Sequence, residues 1–114
     1  MQEMEKQFHI RCVEGDVGKY AILAGDPGRI PAIAEYFDDA KQVAYNREFN
    51  IFTGYLNGVK VTAASTGIGG PSTAILVEEL HNLGTDTFIR TGTCGGIDID
   101  VQSGDIVVAS GAIR

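Results

Sequence analysis

The chain has 114 residues, 44% of them hydrophobic, and a net charge of −6 at pH 7. That length allows one domain or less, and an acidic balance with no basic stripe argues against a nucleic-acid partner. No apolar run is long enough to span a bilayer, and the polar, acidic opening "MQEMEKQFHI" does not read as a signal peptide. The expected setting is therefore cytoplasmic, with no membrane partner, and with Cys12 and Cys94 as free thiols.

The first element is an apolar run from Tyr20 to Ala24, which breaks at Gly25-Asp26-Pro27. Asp26 suits an N-cap and Pro27 a first helical turn. "GRIPAIAEYFDD" then places Ile30, Ile33, Ala34 and Phe37 at helical spacing, with Pro31 early enough to be tolerated. "KQVAYNREFNIFTGYLNGVKVTAAST" reads as strands, and Asn57-Gly58 marks a two-residue hairpin because a type I′ turn needs positive φ at both positions. "PSTAILVEELHNLG" predicts a helix with Ala74, Val77, Leu80 and Leu83 on one face. Glu78 and Glu79 fall on its solvated side, and Gly84 stops it. Thr87 to Thr91 and Asp105 to Ser110 read as two further strands. Strands alternating with helices predict an α/β fold with a mixed, largely parallel sheet flanked by helices.

Three strand ends carry glycine-rich turns: Gly25 to Arg29, Thr66 to Gly70 and Thr91 to Gly96. Parallel strands would bring all three to one sheet edge, where open α/β sheets bind ligands. Two of the turns lead into helix N-termini, which favour anions. Arg29 lies in the first turn, Arg90 just before the third, and Arg47 between strands in "NREF". Arginine is a preferred bidentate partner of phosphate, so phosphate or a phosphate ester is the expected ligand. The plainer alternative pairs Arg29 and Arg90 with surface carboxylates.

A nicotinamide-dinucleotide site is the rival. "GIGGPS" nearly matches G-x-G-x-x-G, with Asp86 downstream, but Asp86 precedes the strand whose carboxyl end should bear the ribose-binding acid. His81 is expected to face solvent, Cys94 to serve packing or backbone conformation, and Asp98, Asp100 and Asp105 to cap turns rather than bind metal.

Taken in order, "AGDPGRI", "NREF", "STGIGGPST", "EEL", "TFIRTGTCGGI" and "GDIVVA" resemble the amino-terminal half of the nucleoside phosphorylase family, nearest to its uridine phosphorylase branch. The resemblance runs from about Phe8 to the end. It implies a truncated three-layer α/β/α fold, with residues 1–114 as the amino-terminal part of a single domain and the carboxy-terminal half absent. It implies pentosyl transfer from a nucleoside to inorganic phosphate, giving free base and ribose 1-phosphate, with no cofactor beyond that co-substrate.

By position, the resemblance places Gly25, Arg29, Arg90 and Thr93 at phosphate, with Arg47 reaching a neighbouring subunit's phosphate. It places Phe8 and His9 over the sugar in the adjacent subunit, and Thr93, Cys94 and Gly95 along ribose and base. Glu48, Ile68 and Ser72 match a K+ site at a dimer interface. A homo-oligomer is implied, a dimer at least and a hexamer in the intact family. No catalytic residue is assigned in this half, and the chain alone is expected to be inactive. Purine nucleoside phosphorylases and hydrolytic nucleosidases of the same fold remain alternatives, as does a non-catalytic remnant.

Overall fold

The computed structural model describes residues 5–113; the first four residues of the polar opening and Arg114 lie outside the described residues. The strands are β1 (Tyr20–Ala24), β2 (Asp38–Asn46), β3 (Phe49–Leu56), β4 (Val59–Ser65) and β5 (Thr87–Arg90). The helices are α1 (Ile30–Ala34), preceded by a 3-10 turn at Pro27–Arg29, and α2 (Gly70–Asn82). One sheet has the order β2-β3-β4-β1-β5. β1 pairs in parallel with β4 and β5, whereas β2, β3 and β4 form an antiparallel meander. The sheet is thus mixed, with parallel and antiparallel pairings equally represented rather than mostly parallel.

Alternation along the strands builds two cores. Ala21 and Leu23 of β1 face the core beneath α2, with Phe49, Ile51, Ala64, Leu76 and Leu80. Ala24 of β1 faces the other side, where Ile30 and Ala34 of α1 meet Phe37, Val61 and Ala63. Period-two alternation in a strand covered on both faces produces this division. It gives the expected three layers.

The Asn57-Gly58 hairpin forms, with φ of 50° and 79° at its two residues. α1 is shorter than its spacing predicts. It ends at Ala34, after which Glu35, Tyr36 and Phe37 donate backbone hydrogen bonds to Pro31, Ile33 and Ala34 in a tightening last turn. Phe37 is buried although it lies outside the helix.

The predicted strand at Asp105 to Ser110 does not form. Residues 91–113 are exposed and contain only turns among the described residues, with Ile106 at 91% and Val108 at 89% exposure. An apolar run becomes a strand only when another strand takes up its N–H and C=O groups. No described strand lies beside this one. Asp98 and Asp105 do cap turns, accepting from the Asp100 and Gln102 N–H groups.

The segment before β1 is tied down by buried threonines. Thr53 Oγ1 donates to the Asp16 carbonyl at 2.8 Å, so the proton shared over the 2.9 Å Thr53–Thr62 contact comes from Thr62. Thr62 Oγ1 then accepts from Gly18 N–H at 2.8 Å, and Thr85 Oγ1 donates to the Gly18 carbonyl at 2.7 Å. Thr62 is fully buried. Thr62→Val would strand the Gly18 N–H, so a loss of about 1–3 kcal/mol is expected, read as a lower urea midpoint at an unchanged slope.

Candidate functional site

The parallel register aligns the carboxyl ends of β4, β1 and β5. Beyond the strands, Thr66 N–H donates to Ala24 O at 2.8 Å, Gly67 N–H to Gly25 O at 3.0 Å and Thr91 N–H to Leu23 O at 2.8 Å. The three glycine-rich turns are thereby locked side by side. The antiparallel β3–β4 pairing returns the Arg47-Glu48 turn to the same edge. There Ser65 Oγ donates to the Glu48 carbonyl at 2.6 Å and accepts from Asn50 N–H at 2.7 Å. Asn50 Nδ2 also donates to the Pro27 carbonyl at 3.0 Å, fastening the first turn to β3.

Arg90 lies across this edge. A Cβ added at Gly92 would stand 2.8 Å from its Nη1, and one at Gly25 would stand 3.6 Å from its Nη2. The glycines therefore leave the room that the guanidinium occupies. Asp26 caps the first turn, its Oδ1 accepting from Gly28 N–H at 2.9 Å. Among the described residues the close contacts between basic and acidic side chains are His9–Glu79 and Lys19–Asp86. None involves Arg29, Arg47 or Arg90, so the surface-carboxylate alternative finds no partner for them. α2 begins at the same edge, with Gly69 at its N-cap making no side-chain cap hydrogen bond. Its dipole and first N–H groups add to the anion-attracting character.

Gly67 shows why "STGIGG" is nearly free of side chains. Its φ is +71°, and an added Cβ would lie 2.5 Å from Glu48 Cγ and 2.9 Å from Ser72 Oγ. Ser72 Oγ contacts Glu48 Oε2 at 2.7 Å and the Thr66 carbonyl at 2.5 Å. The Ser72 hydrogen bond, followed by the backbone hydrogen bond at Glu48 itself, holds the Glu48 carboxyl below its ordinary value. Glu48 and Ser72 supply oxygen of the kind a hard cation accepts. Ile68 is exposed and its hydrocarbon side chain has no donor atom, so Ile68 could add only its carbonyl. No cluster of three His, Cys, Asp or Glu able to hold a metal occurs among the described residues.

Other expected residues are less gathered. Thr93, Cys94 and Gly95 are exposed and lie on a segment without regular structure. Phe8 is 72% exposed and meets the His9 ring edge-on, with centroids 4.9 Å apart. Asp86 stands at the amino end of β5, paired with Lys19 at 3.5 Å and far from the turn edge that a ribose-binding acid would need.

Glu79 corrects the reading of α2. The buried positions of the helix are Ser72, Leu76, Glu79 and Leu80, whereas Ala74 is exposed. Spacing Ser72, Leu76, Glu79 and Leu83 four, three and four apart would have shown this stripe. Its only obstacle was the charge on Glu79. Glu78 and His81 are exposed, as expected.

Below α1 lies an open apolar cavity of about 620 Å³, lined by residues that include Ile22, Ile33, Tyr36, Leu56 and Arg29. It borders the turn edge through Arg29 and Thr91.

Cys12 and Cys94 are free, the first buried and the second exposed. Burial, with Asp16 and Glu79 nearby, pushes the Cys12 thiol up to about 12. A thiol reagent at about pH 8, near the ordinary cysteine value, is expected to modify one cysteine in the native chain and both after denaturation, counted by intact mass. Modification of both without denaturant would show that Cys12 is accessible.

The phosphorylase superfamily model matches residues 19–114. Over 108 residues the chain is 48% identical to the uridine phosphorylase of Thermococcus kodakarensis, covering 95% of this chain and 39% of that protein. Over 111 residues it is 50% identical to the guanosine phosphorylase of Halorubrum lacusprofundi, covering 97% and 46%. The crystal structure of a Vibrio fischeri uridine phosphorylase superposes with a TM-score of 0.83 at 41% identity, covering 90% of this chain and 43% of that one. A Toxoplasma gondii purine nucleoside phosphorylase, solved with immucillin-H, gives 0.77 at 43% identity, covering 83% and 38%. The chain spans less than half the length of these relatives.

Proposed function

This chain belongs to the phosphorylase superfamily, and from that premise we propose that it supplies the phosphate-binding half of a pyrimidine nucleoside phosphorylase, with uridine as the nucleoside. The observation that carries the reading is the Arg90 guanidinium, lying over Gly25 and Gly92 with no carboxylate paired to it among the described residues. Uridine phosphorylases at 41–51% identity support the choice of nucleoside. The guanosine phosphorylase relative at 50% identity keeps a purine nucleoside as the second reading.

In this reading Arg90, Arg29 and the backbone at Gly25 hold the phosphate dianion, with Thr93 joining from the third turn. Held beneath the anomeric carbon, the phosphate oxygen forms the new C–O bond as the C–N bond breaks. The bonding pair leaves with the base, which takes up a proton. The sugar passes through an oxocarbenium-like state that the neighbouring anion stabilises. Positioning is the contribution expected of these residues. Hydrolysis by water would not call for three arginines left without an ion-pair partner among the described residues.

The finer parts of the reading concern the assembly. Arg47, Phe8 and His9 would serve an adjacent subunit, with Thr93, Cys94 and Gly95 along the nucleoside. Glu48, Ser72 and the Ile68 carbonyl would hold K+ with the same groups of a second copy, so that a dimer is the smallest complete unit. The setting proposed is the cytoplasm. No described helix is long and apolar enough to cross a membrane.

Inorganic phosphate is expected to bind the chain in a calorimetric titration, and Arg90→Ala to weaken it by roughly tenfold or more, the loss of a charge-assisted contact of about 1.5–3 kcal/mol. Equal affinity in the two proteins would remove the site.

No catalytic residue is assigned in this chain, which spans less than half the length of its relatives. At concentrations where sedimentation shows a dimer, the chain with uridine and phosphate is therefore expected to release no uracil above background. Release matching an intact family member would show that this half suffices.

A further inference from the structure

Glu79 takes three hydrogen bonds from one short segment. Its Oε1 accepts from the N–H groups of His9 at 2.8 Å and Ile10 at 3.1 Å, and its Oε2 lies 2.6 Å from His9 Nδ1. The His9 carbonyl accepts from Asn46 Nδ2 at 2.7 Å. The segment is closed on itself by Gln7 N–H to Cys12 O at 3.0 Å and Arg11 N–H to Gln7 O at 3.1 Å. Both backbone groups of His9 and one ring nitrogen are thus held by the protein.

Burial alone would raise the Glu79 carboxyl. The hydrogen bonds from Ile10, His9 and the His9 ring outweigh it and hold the group below its ordinary value, so it is an anion near neutral pH. An ionised carboxylate only accepts, so the proton between Oε2 and the ring must belong to Nδ1. In a neutral imidazole this leaves a lone pair on Nε2. Nε2 has no hydrogen-bond partner among the described residues, and no buried, unpartnered side-chain nitrogen occurs among them. It is therefore open to solvent or ligand.

We propose that Glu79 is a positioning residue that locks neutral His9 in the Nδ1–H tautomer and so presents Nε2 as a fixed acceptor for a ligand hydroxyl rather than for phosphate. The hydroxyl half of this statement rests on the nucleoside reading above; the tautomer does not. Imidazole in water favours the opposite tautomer, with the proton on Nε2, so the lock is measurable. It also differs from simple anchoring. An amide at position 79 could still accept from both backbone N–H groups through its oxygen. Its NH₂ would then face the ring, and an NH₂ only donates. Nδ1 would have to accept, and the proton would move to Nε2.

The experiment is a long-range proton–nitrogen correlation on the 15N-labelled 114-residue chain at about pH 9, well above the ordinary imidazole range. The expected result is Nδ1–H at His9 in the unaltered chain and Nε2–H in Glu79→Gln, with the His9 and Ile10 amides still dispersed. Asn46→Ala loosens the segment without touching the carboxylate and is expected to keep Nδ1–H. Nε2–H or a mixture in the unaltered chain overturns the proposal, as does a folded Glu79→Gln that retains Nδ1–H. If Glu79→Gln does not fold, the unaltered chain and Asn46→Ala decide. Adding inorganic phosphate separates this inference from the function it rests on. Shifts at Gly25 and Arg90 with an unchanged His9 ring support both, whereas a proton gained at Nε2 overturns the exclusion of phosphate. No shift at Gly25 or Arg90 removes the phosphate reading and leaves the tautomer result standing.

Discussion

The parallel hydrogen bonding of β1 to both β4 and β5 is the constraint on which the rest of the site depends. Parallel neighbours end on the same side, so whatever follows each strand is delivered to one edge. Three separate stretches of chain thereby become adjacent turns. Backbone bonds from Thr66, Gly67 and Thr91 continue the ladder past the strand ends and fix the spacing of those turns. The antiparallel part of the sheet contributes by reversal, because β3 starts where β4 ends and so returns Arg47 and Glu48 to that edge.

The electrostatic character of that edge runs against the chain as a whole. The net charge is −6, yet among the described residues the arginines at the turn edge have no carboxylate paired to them. An unpaired guanidinium retains its capacity for an anion, whereas one in an ion pair has already been neutralised. The carboxylates at the edge are occupied by polar groups of the protein: Asp26 by Gly28 N–H and Glu48 by Ser72. The edge is thereby shaped by hydrogen-bonded acids without losing its cationic surface.

The two sheet faces are unequally covered. α2 has 13 residues and seals its side with Leu76 and Leu80 fully buried. α1 has five, and the apolar cavity beneath it opens to solvent. The apolar residues after β5 are exposed as well. The chain spans less than half the length of its relatives.

The elements themselves were legible in the sequence because each depends on neighbours a few residues away. Pro27 after Asp26, the Asn57-Gly58 pair and Gly84 act through local backbone geometry, and the turns and helix ends formed where they stand. The clustering of arginine and glycine at strand ends was visible for the same reason. Glu79 was not legible. Its place on α2 follows from a helical stripe, but its burial depends on N–H groups some 70 residues away in sequence, at His9 and Ile10. The strand at Asp105 to Ser110 failed for the complementary reason. Its residues favour extended structure, but a strand exists only through hydrogen bonds to a partner, and composition cannot supply one. Sequence alone determined which backbone conformations and charges were at hand; only tertiary structure decided which of them found partners, because hydrogen bonds and burial between distant segments depend on how the whole sheet is assembled.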